Sequence, residues 1–235
     1  MLDSLYGKTF LILGSQLGLT WLVTIISLGV FRNLYWSQVS WVNGGVNEDG
    51  NLDLDLDWET IKPYFYALLI IDILVFLALL FYGESNLLYG IPLFCVWSIL
   101  TGIELALCLI SVDENLGGKV LALTTLITCA AGLIGAKSGI DFSFLGKGLF
   151  LSLLLLIVFG LVRTFFSIPR WIQRLVAFFG VITFTGYLLY DFNRLSQLSE
   201  YASSNSWSTA IRVSISIYLD VINLFLDLLD LISKH

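Results

Sequence analysis

Polar and ionisable side chains recur down one face of the last hydrophobic segment, Ala210 to Ile232, and this pattern limits the fold more than any other stretch. At about 100° per residue, Arg212, Ser216, Asp220, Asn223, Asp227 and Asp230 all fall within an arc of roughly 80°. The remaining positions are almost all aliphatic or aromatic. A carboxylate turned toward lipid costs several kcal/mol, so the stripe has to face protein or a water-filled cavity. A short amphipathic helix closing a soluble domain would carry the same stripe, and the rest of the chain decides against it.

Of the 235 residues, 57% are hydrophobic and 13% charged, and the apolar residues come in blocks of about span length. This is the composition of an all-α, multi-pass membrane protein. The net charge of −6 leaves no basic patch for nucleic acid or for anionic head groups. Cys95, Cys108 and Cys129 all lie inside hydrophobic blocks, and the sole histidine is His235. Neither a thiol or imidazole metal site nor a disulfide framework is expected, and no cofactor. Met1 to Lys8, with Asp3, leads into a block too long for a signal-peptide core and without a small-x-small cleavage site, which reads as a retained first span.

Measured against the roughly 20 residues a bilayer helix needs, spans fall near 9–31, 64–82, 87–111, 119–136, 147–166, 171–190 and 210–232. The whole chain, 1–235, is then a single seven-span membrane domain. The link Gly83 to Asn86 is short enough to make the second and third spans an antiparallel hairpin. A longer acidic, Trp-rich loop covers about residues 32–63, with Trp36, Trp41, Trp58 and the acids Asp53, Asp55, Asp57 and Glu59. The alternation from Asn51 to Asp57 suits a short strand or a weak Ca²⁺ site, but lacks the glycine and terminal glutamate of an EF-hand. The simplest expectation is a solvated acidic loop with interfacial aromatics.

With the N-terminus inside, the inner loops carry Lys8, Lys137, Lys147, Arg194 and Arg212. The outer side carries Arg32, Lys62, Lys119, Arg163, Arg170, Arg174 and Lys234. That balance runs against the usual basic bias of inner loops. An external acidic loop and the resemblance given below favour the N-inside arrangement nonetheless.

Three acids lie outside the last segment yet within or at the edge of a span: Asp72, Glu104 and Asp191, the last directly after Tyr187-Leu188-Leu189-Tyr190. Carboxyl groups buried with too few cations must be protonated, share protons or hold a bound cation. A pH-sensitive polar core follows. For Asp72 and Glu104 two readings stay open: protonated acids bonded to backbone or hydroxyls, or members of an ion pathway. Asp191 and Asp220 also raise an intramembrane aspartic protease. Tyr190-Asp191 fits that class, but Asp220 follows Ile217-Tyr218-Leu219 where a Gly-x-Gly-Asp turn is needed, and no Pro-Ala-Leu follows. No enzyme is expected.

Gly186-Tyr187-Leu188-Leu189-Tyr190-Asp191, followed by Ser216-Ile217-Tyr218-Leu219-Asp220-Val221-Ile222-Asn223-Leu224-Phe225, resembles the signature of the transmembrane Bax inhibitor motif family. Gly132-Leu133-Ile134-Gly135-Ala136-Lys137 and Asp141-Phe142-Ser143-Phe144-Leu145 resemble that family's fourth-span ending and the loop after it. The resemblance implies seven helices with the last at the centre of a ring, a Ca²⁺ leak pathway, and an aspartate pair whose shared proton acts as a pH-sensitive latch. By the motif the pair is Asp191 and Asp220. Bacterial members carry an arginine at the end of the second span that pairs with these aspartates; Phe81-Tyr82-Gly83-Glu84 stands there instead. Arg212 or Arg194 is then the candidate counter-charge.

The function expected is a pH-sensitive Ca²⁺ leak. Its candidate pathway is formed by Ser216, Asn223, Asp227 and Asp230 with Glu104 and Asp72, and Asp220 and Asp227 offer oxygen ligands to the passing ion. Its partners are Ca²⁺, protons and the bilayer of a bacterial-type plasma membrane or an organelle. A regulator that binds another membrane protein, a protease or cell-death component, is the alternative. A proton-coupled carrier is a third, without detectable internal repeats to support it.

Overall fold

A computed structural model describes residues 3–46, 52–83, 87–112 and 114–233. Glu84 and Lys234, weighed above, lie outside them. Seven α-helices follow one another: α1 Leu5–Trp36, α2 Trp58–Tyr82, α3 Leu87–Leu109, α4 Glu114–Lys137, α5 Gly146–Phe165, α6 Arg170–Ser199 and α7 Trp207–Ile232. The first six are long and apolar enough to cross a bilayer. The chain is a multi-pass membrane protein of nearly all-helical build. α7 matches them in length at 26 residues but carries Arg212, Asp220, Asp227 and Asp230.

Two expectations are corrected. The acidic loop contains a β-hairpin, β1 Val42–Val46 and β2 Leu52–Leu56, paired antiparallel with Val42 opposite Leu56 and Gly44 opposite Leu54. The Leu/Asp alternation has period two, which puts Leu54 on the buried side with Val42 and leaves Asp55 exposed. The second correction concerns α6, which does not stop at residue 190. It runs through Asp191, Asn193, Arg194, Ser196 and Gln197 to Ser199. Hydropathy falls there, yet Ser196 Oγ donates to Ala136 O at 3.2 Å and Asn193 Nδ2 to Gly135 O at 3.1 Å, so the polar turns are held by α4. Asp191 is therefore inside a helix rather than at its end.

The chain divides into two compact units, Leu11–Glu114 and Met1–Phe10 with Asn115–His235. In the first, α1 and α3 approach closely through small and hydroxyl residues: Thr24 Oγ1 donates to Gly102 O at 3.0 Å and Thr20 Oγ1 to Ser98 O at 3.3 Å. α2 and α3 form the expected hairpin, joined across Trp97 and Phe76, whose rings lie 5.0 Å apart.

In the second unit, α7 is buried along nearly its full length, with Ile217, Tyr218, Leu224 and Phe225 wholly enclosed. It runs antiparallel to α6, so that residues near 191 meet residues near 220 and residues near 170 meet the end of α7. Phe150, Leu151, Leu155 and Leu161 of α5 remain exposed, as suits a lipid-facing side. The N-terminal residues close on the start of α7: Lys8 Nζ donates to Asn205 O at 3.0 Å and to its Oδ1 at 2.9 Å, and Ser214 Oγ donates to Thr9 O at 3.0 Å.

α4 and α6 touch backbone to backbone at Gly135, where an added Cβ would stand 2.5 Å from Leu189 O. At Gly132 a Cβ would meet only the Phe192 ring, at 3.3 Å. Gly135→Ala is therefore expected to destabilise the protein by about 1–3 kcal/mol, as overpacking does, and Gly132→Ala by less. Thermal unfolding in detergent compares them; equal midpoints would remove the close approach from the account.

Candidate functional site

The α6–α7 interface brings two acids together. Asp191 and Asp220 are 5% and 6% exposed, and their side chains are close enough to interact directly with each other. An ionised carboxylate only accepts, so two carboxyls can bond to each other only when one of them carries a proton. Asp220 Oδ2 is buried and has no hydrogen-bond partner among the described residues. Arg194, one turn beyond Asp191 on α6, is close enough to act on it electrostatically, and Tyr187 lies near both acids. Arg212 is exposed and two turns before Asp220, about 12 Å along the axis at 1.5 Å per residue.

Farther along α7 the polar stripe lines a cavity of about 330 Å³ between α5, α6 and α7. Asn223, Asp227 and Asp230 face it together with Gln173 and Arg163. Gly180 makes room for the Asp227 carboxyl, since any Cβ there would overlap it. Asn223 Nδ2 is taken by Leu219 O at 2.8 Å, which leaves its Oδ1 for another contact. Ser216 is half-buried and donates back to Arg212 O at 3.4 Å. Asp220 and Asp227 are seven residues apart, about 10 Å along the axis, too far to share one cage.

Asp230 is bound by cations. Arg170 Nη1 reaches Asp230 Oδ1 at 2.6 Å and Arg163 Nη1 reaches Oδ2 at 3.2 Å. Arg170 Nη2 also donates to Asp230 O at 3.0 Å and Ser233 Oγ at 2.8 Å, and Arg174 Nη2 to Ser233 O at 3.0 Å. Cations gathered on the last carbonyls of a helix complement its dipole. In sequence these three arginines figured only as loop charge, because their partners lie about 60 residues away.

Asp72 and Glu104 belong to the other unit and lie within electrostatic range of each other there. Trp97 Nε1 donates to Asp72 Oδ2 at 3.3 Å, and Glu104 is near enough to Asp72 for their charges to interact. Asp72 Oδ1 and Glu104 Oε1 are buried with no donor among the described residues. No group of three or more Asp, Glu, His or Cys side chains converges as a metal cage among the described residues.

A polar network at the opposite end of α6 from the arginines escaped the sequence reading. Asp141 Oδ1 accepts from Ser143 N at 2.9 Å, Ser143 Oγ at 2.6 Å and Gln197 Nε2 at 3.0 Å. Gln197 in turn donates to Asn193 Oδ1 at 3.1 Å. Helix interiors disfavour Asn, and Asn193 two residues after an intramembrane acid is the sequence signal that a partner is needed.

The family whose description is inhibitor of apoptosis-promoting Bax1 matches residues 3–235 of the chain. Among curated relatives, Protein LIFEGUARD 4 of Arabidopsis thaliana is 38% identical over 119 residues, 48% of this chain and 46% of the relative. An Arabidopsis BI1-like protein is 35% identical over 99 residues, 42% of this chain and 36% of the relative. These matches span less than half the length of the plant proteins. A membrane protein of Streptococcus pyogenes serotype M1 is 24% identical over 237 residues, covering 100% of this chain and 94% of the relative.

Two measurements test the ends of this unit. Arg170→Gln removes the better-buried ion pair (33% and 24% exposed side chains) and is expected to cost about 1–3 kcal/mol. Arg163, 48% exposed, contributes less than about 1 kcal/mol. Thermal unfolding of both variants separates them. At the other end, the Ser143 hydroxyl and amide and Gln197 hold the exposed Asp141 carboxyl below its usual range. A lowered folded-state pKa stabilises above the ordinary value of about 3.9, and the contribution is lost as pH falls through the folded value. The Ser143 amide should keep its hydrogen-exchange protection at neutral pH and lose it in that acid window, while Asp141→Asn should show no such step.

Proposed function

Since this chain belongs to the Bax inhibitor-1 family across residues 3–235, we propose that it is a pH-sensitive Ca²⁺ leak in which Asp191 and Asp220 hold one proton between them as the latch. The observation that carries this reading is the burial of the two carboxyls beside each other, one on α6 and one on α7. Closed, the pair joins α6 to α7 through that proton. When the proton leaves, two like charges face each other in a poorly hydrated interface, and the helices are pushed apart or must admit a cation. Arg194 takes the part of the missing second-span arginine. α7 serves as the seventh, internal span, with the N-terminus inside.

An ion on this path would use oxygens at separate depths, Asp220, then Asn223 and Asp227. Several weak stations suit conduction better than one tight cage. Asp230, already paired with arginines, closes the outer end. Asp72 and Glu104 supply a further acidic station in their own unit. Ca²⁺ is the transported ion and no resident cofactor is assigned. Both latch acids sit in uninterrupted helices, with no backbone edge on offer to a peptide substrate, and we assign no catalytic role.

The family's description favours a second reading, a membrane regulator that binds a cell-death component or a protease. Purified protein in liposomes separates the two. Ca²⁺ efflux that changes with pH over about pH 5–8 is expected from the leak, the window into which coupled buried acids can be tuned. Asp191→Asn and Asp220→Asn should each stay folded and flatten that profile. Tight liposomes at every pH would favour the regulator; an unchanged profile in both variants would move the sensor to Asp227, Asp230 or Glu104.

A further inference from the structure

Asn193 is 8% exposed, inside α6, two residues beyond Asp191. A carboxamide offers two N–H donors and an oxygen with two lone pairs. Asn193 uses all four. Nδ2 donates to Gly135 O at 3.1 Å and Ile140 O at 2.9 Å; Oδ1 accepts from Phe142 N at 3.1 Å and Gln197 Nε2 at 3.1 Å. Three of these partners are backbone groups of the end of α4 and of the loop after it. The side chain therefore ties α6 to α4 at one height and one rotation.

Two residues along a helix turn the side chain by about 200°. Asn193 and Asp191 thus leave α6 on nearly opposite sides, one toward α4 and its loop, the other toward Asp220 on α7. Side-chain atoms lie about 5 Å or more from a helix axis, so a rotation of α6 by about 20° displaces the Asp191 carboxyl by about 2 Å. An O–H···O bond tolerates only about 2.5–3.0 Å between its oxygens, so that displacement breaks it. The neighbouring charged and titratable groups, Arg194, Tyr187 and Tyr190 on α6 itself and Asp220 on α7, cannot supply this constraint, because none of them bonds α6 to α4.

We propose that Asn193 is the positioning residue of the Asp191–Asp220 pair, setting the rotation of α6 that lets the two carboxyls meet. The inference rests on reading that pair as a proton-sharing latch. Gln197 is its outer support, since it bridges Asn193 Oδ1 and the Asp141 carboxylate. Ser196 provides a control: its hydroxyl also bonds α6 to α4, at Ala136 O, but engages no atom of the loop.

The test is an infrared titration of the carboxyl bands of the full chain in lipid, with the bands assigned by Asp191→Asn and Asp220→Asn. Interacting acids titrate in two steps set apart by their contact. Asn193→Leu keeps the volume, removes all four bonds, and should bring the two steps closer by about one pH unit. Gln197→Leu should move them in the same sense by less, and serves alone if Asn193→Leu does not fold. Ser196→Ala should leave them in place. Unmoved steps in folded Asn193→Leu, unmoved steps in Gln197→Leu where only that variant folds, or an equal movement in Ser196→Ala, would overturn the assignment. Ca²⁺ efflux from the same liposomes is read alongside: a wild type that does not leak defeats the channel reading while the infrared steps still judge Asn193.

Discussion

Two carboxyl groups buried beside each other between α6 and α7 repel whenever both are ionised, and that constraint bears on the packing of the second unit of the chain. In a poorly hydrated interface two ionised carboxylates repel strongly, whereas a protonated pair forms a directional bond that is satisfied only over a few tenths of an ångström. α6 and α7 consequently have to be held in fixed register over their whole length. A pair of helices sliding freely past each other would lose the contact.

The register is held at both ends, by different chemistry. At one end Asn193 and Gln197 bind α6 to the last turn of α4 and to the loop that follows, and Lys8 and Asn205 close the neighbouring turn before α7. At the other end Arg170 and Arg174 take up the last carbonyls of α7, and Arg163 joins Arg170 on Asp230. Between the two ends small residues admit large partners, as Gly180 does for Asp227. Membrane helices gain little from apolar burial against one another, so close backbone approach and polar bonds of this kind carry the specificity.

This arrangement also divides the acidic stripe of α7 into parts with different surroundings. Asp220 lies beside another acid, Asp227 faces a cavity beside Asn223, and Asp230 is paired with arginines. A uniform row of carboxylates would make one strong cation site. Divided, the three acids of α7 each meet a different kind of neighbour. In the other unit Asp72 and Glu104 lie within electrostatic range of each other, and an indole N–H donates to Asp72.

The alternation of span-length apolar blocks, the polar arc on α7 and the two strings ending in Asp191 and holding Asp220 were all legible from residue order, because helical periodicity is a local property of the chain. Hydropathy placed the seven helices to within a few residues except where polar side chains extend them, as from Asp191 to Ser199. The hairpin of residues 42–56 was visible as an alternation but not distinguishable from a solvated loop, since a strand needs a partner and Val42 lies 14 residues from Leu56. Asn193 and Ile140 are 53 apart, Arg170 and Asp230 are 60 apart. Spacing along the chain carries no information about such pairs. Which acid meets an arginine, which meets an acid and which faces open space is settled when helices pack, because burial sets polar atoms against neighbours that local sequence does not contain.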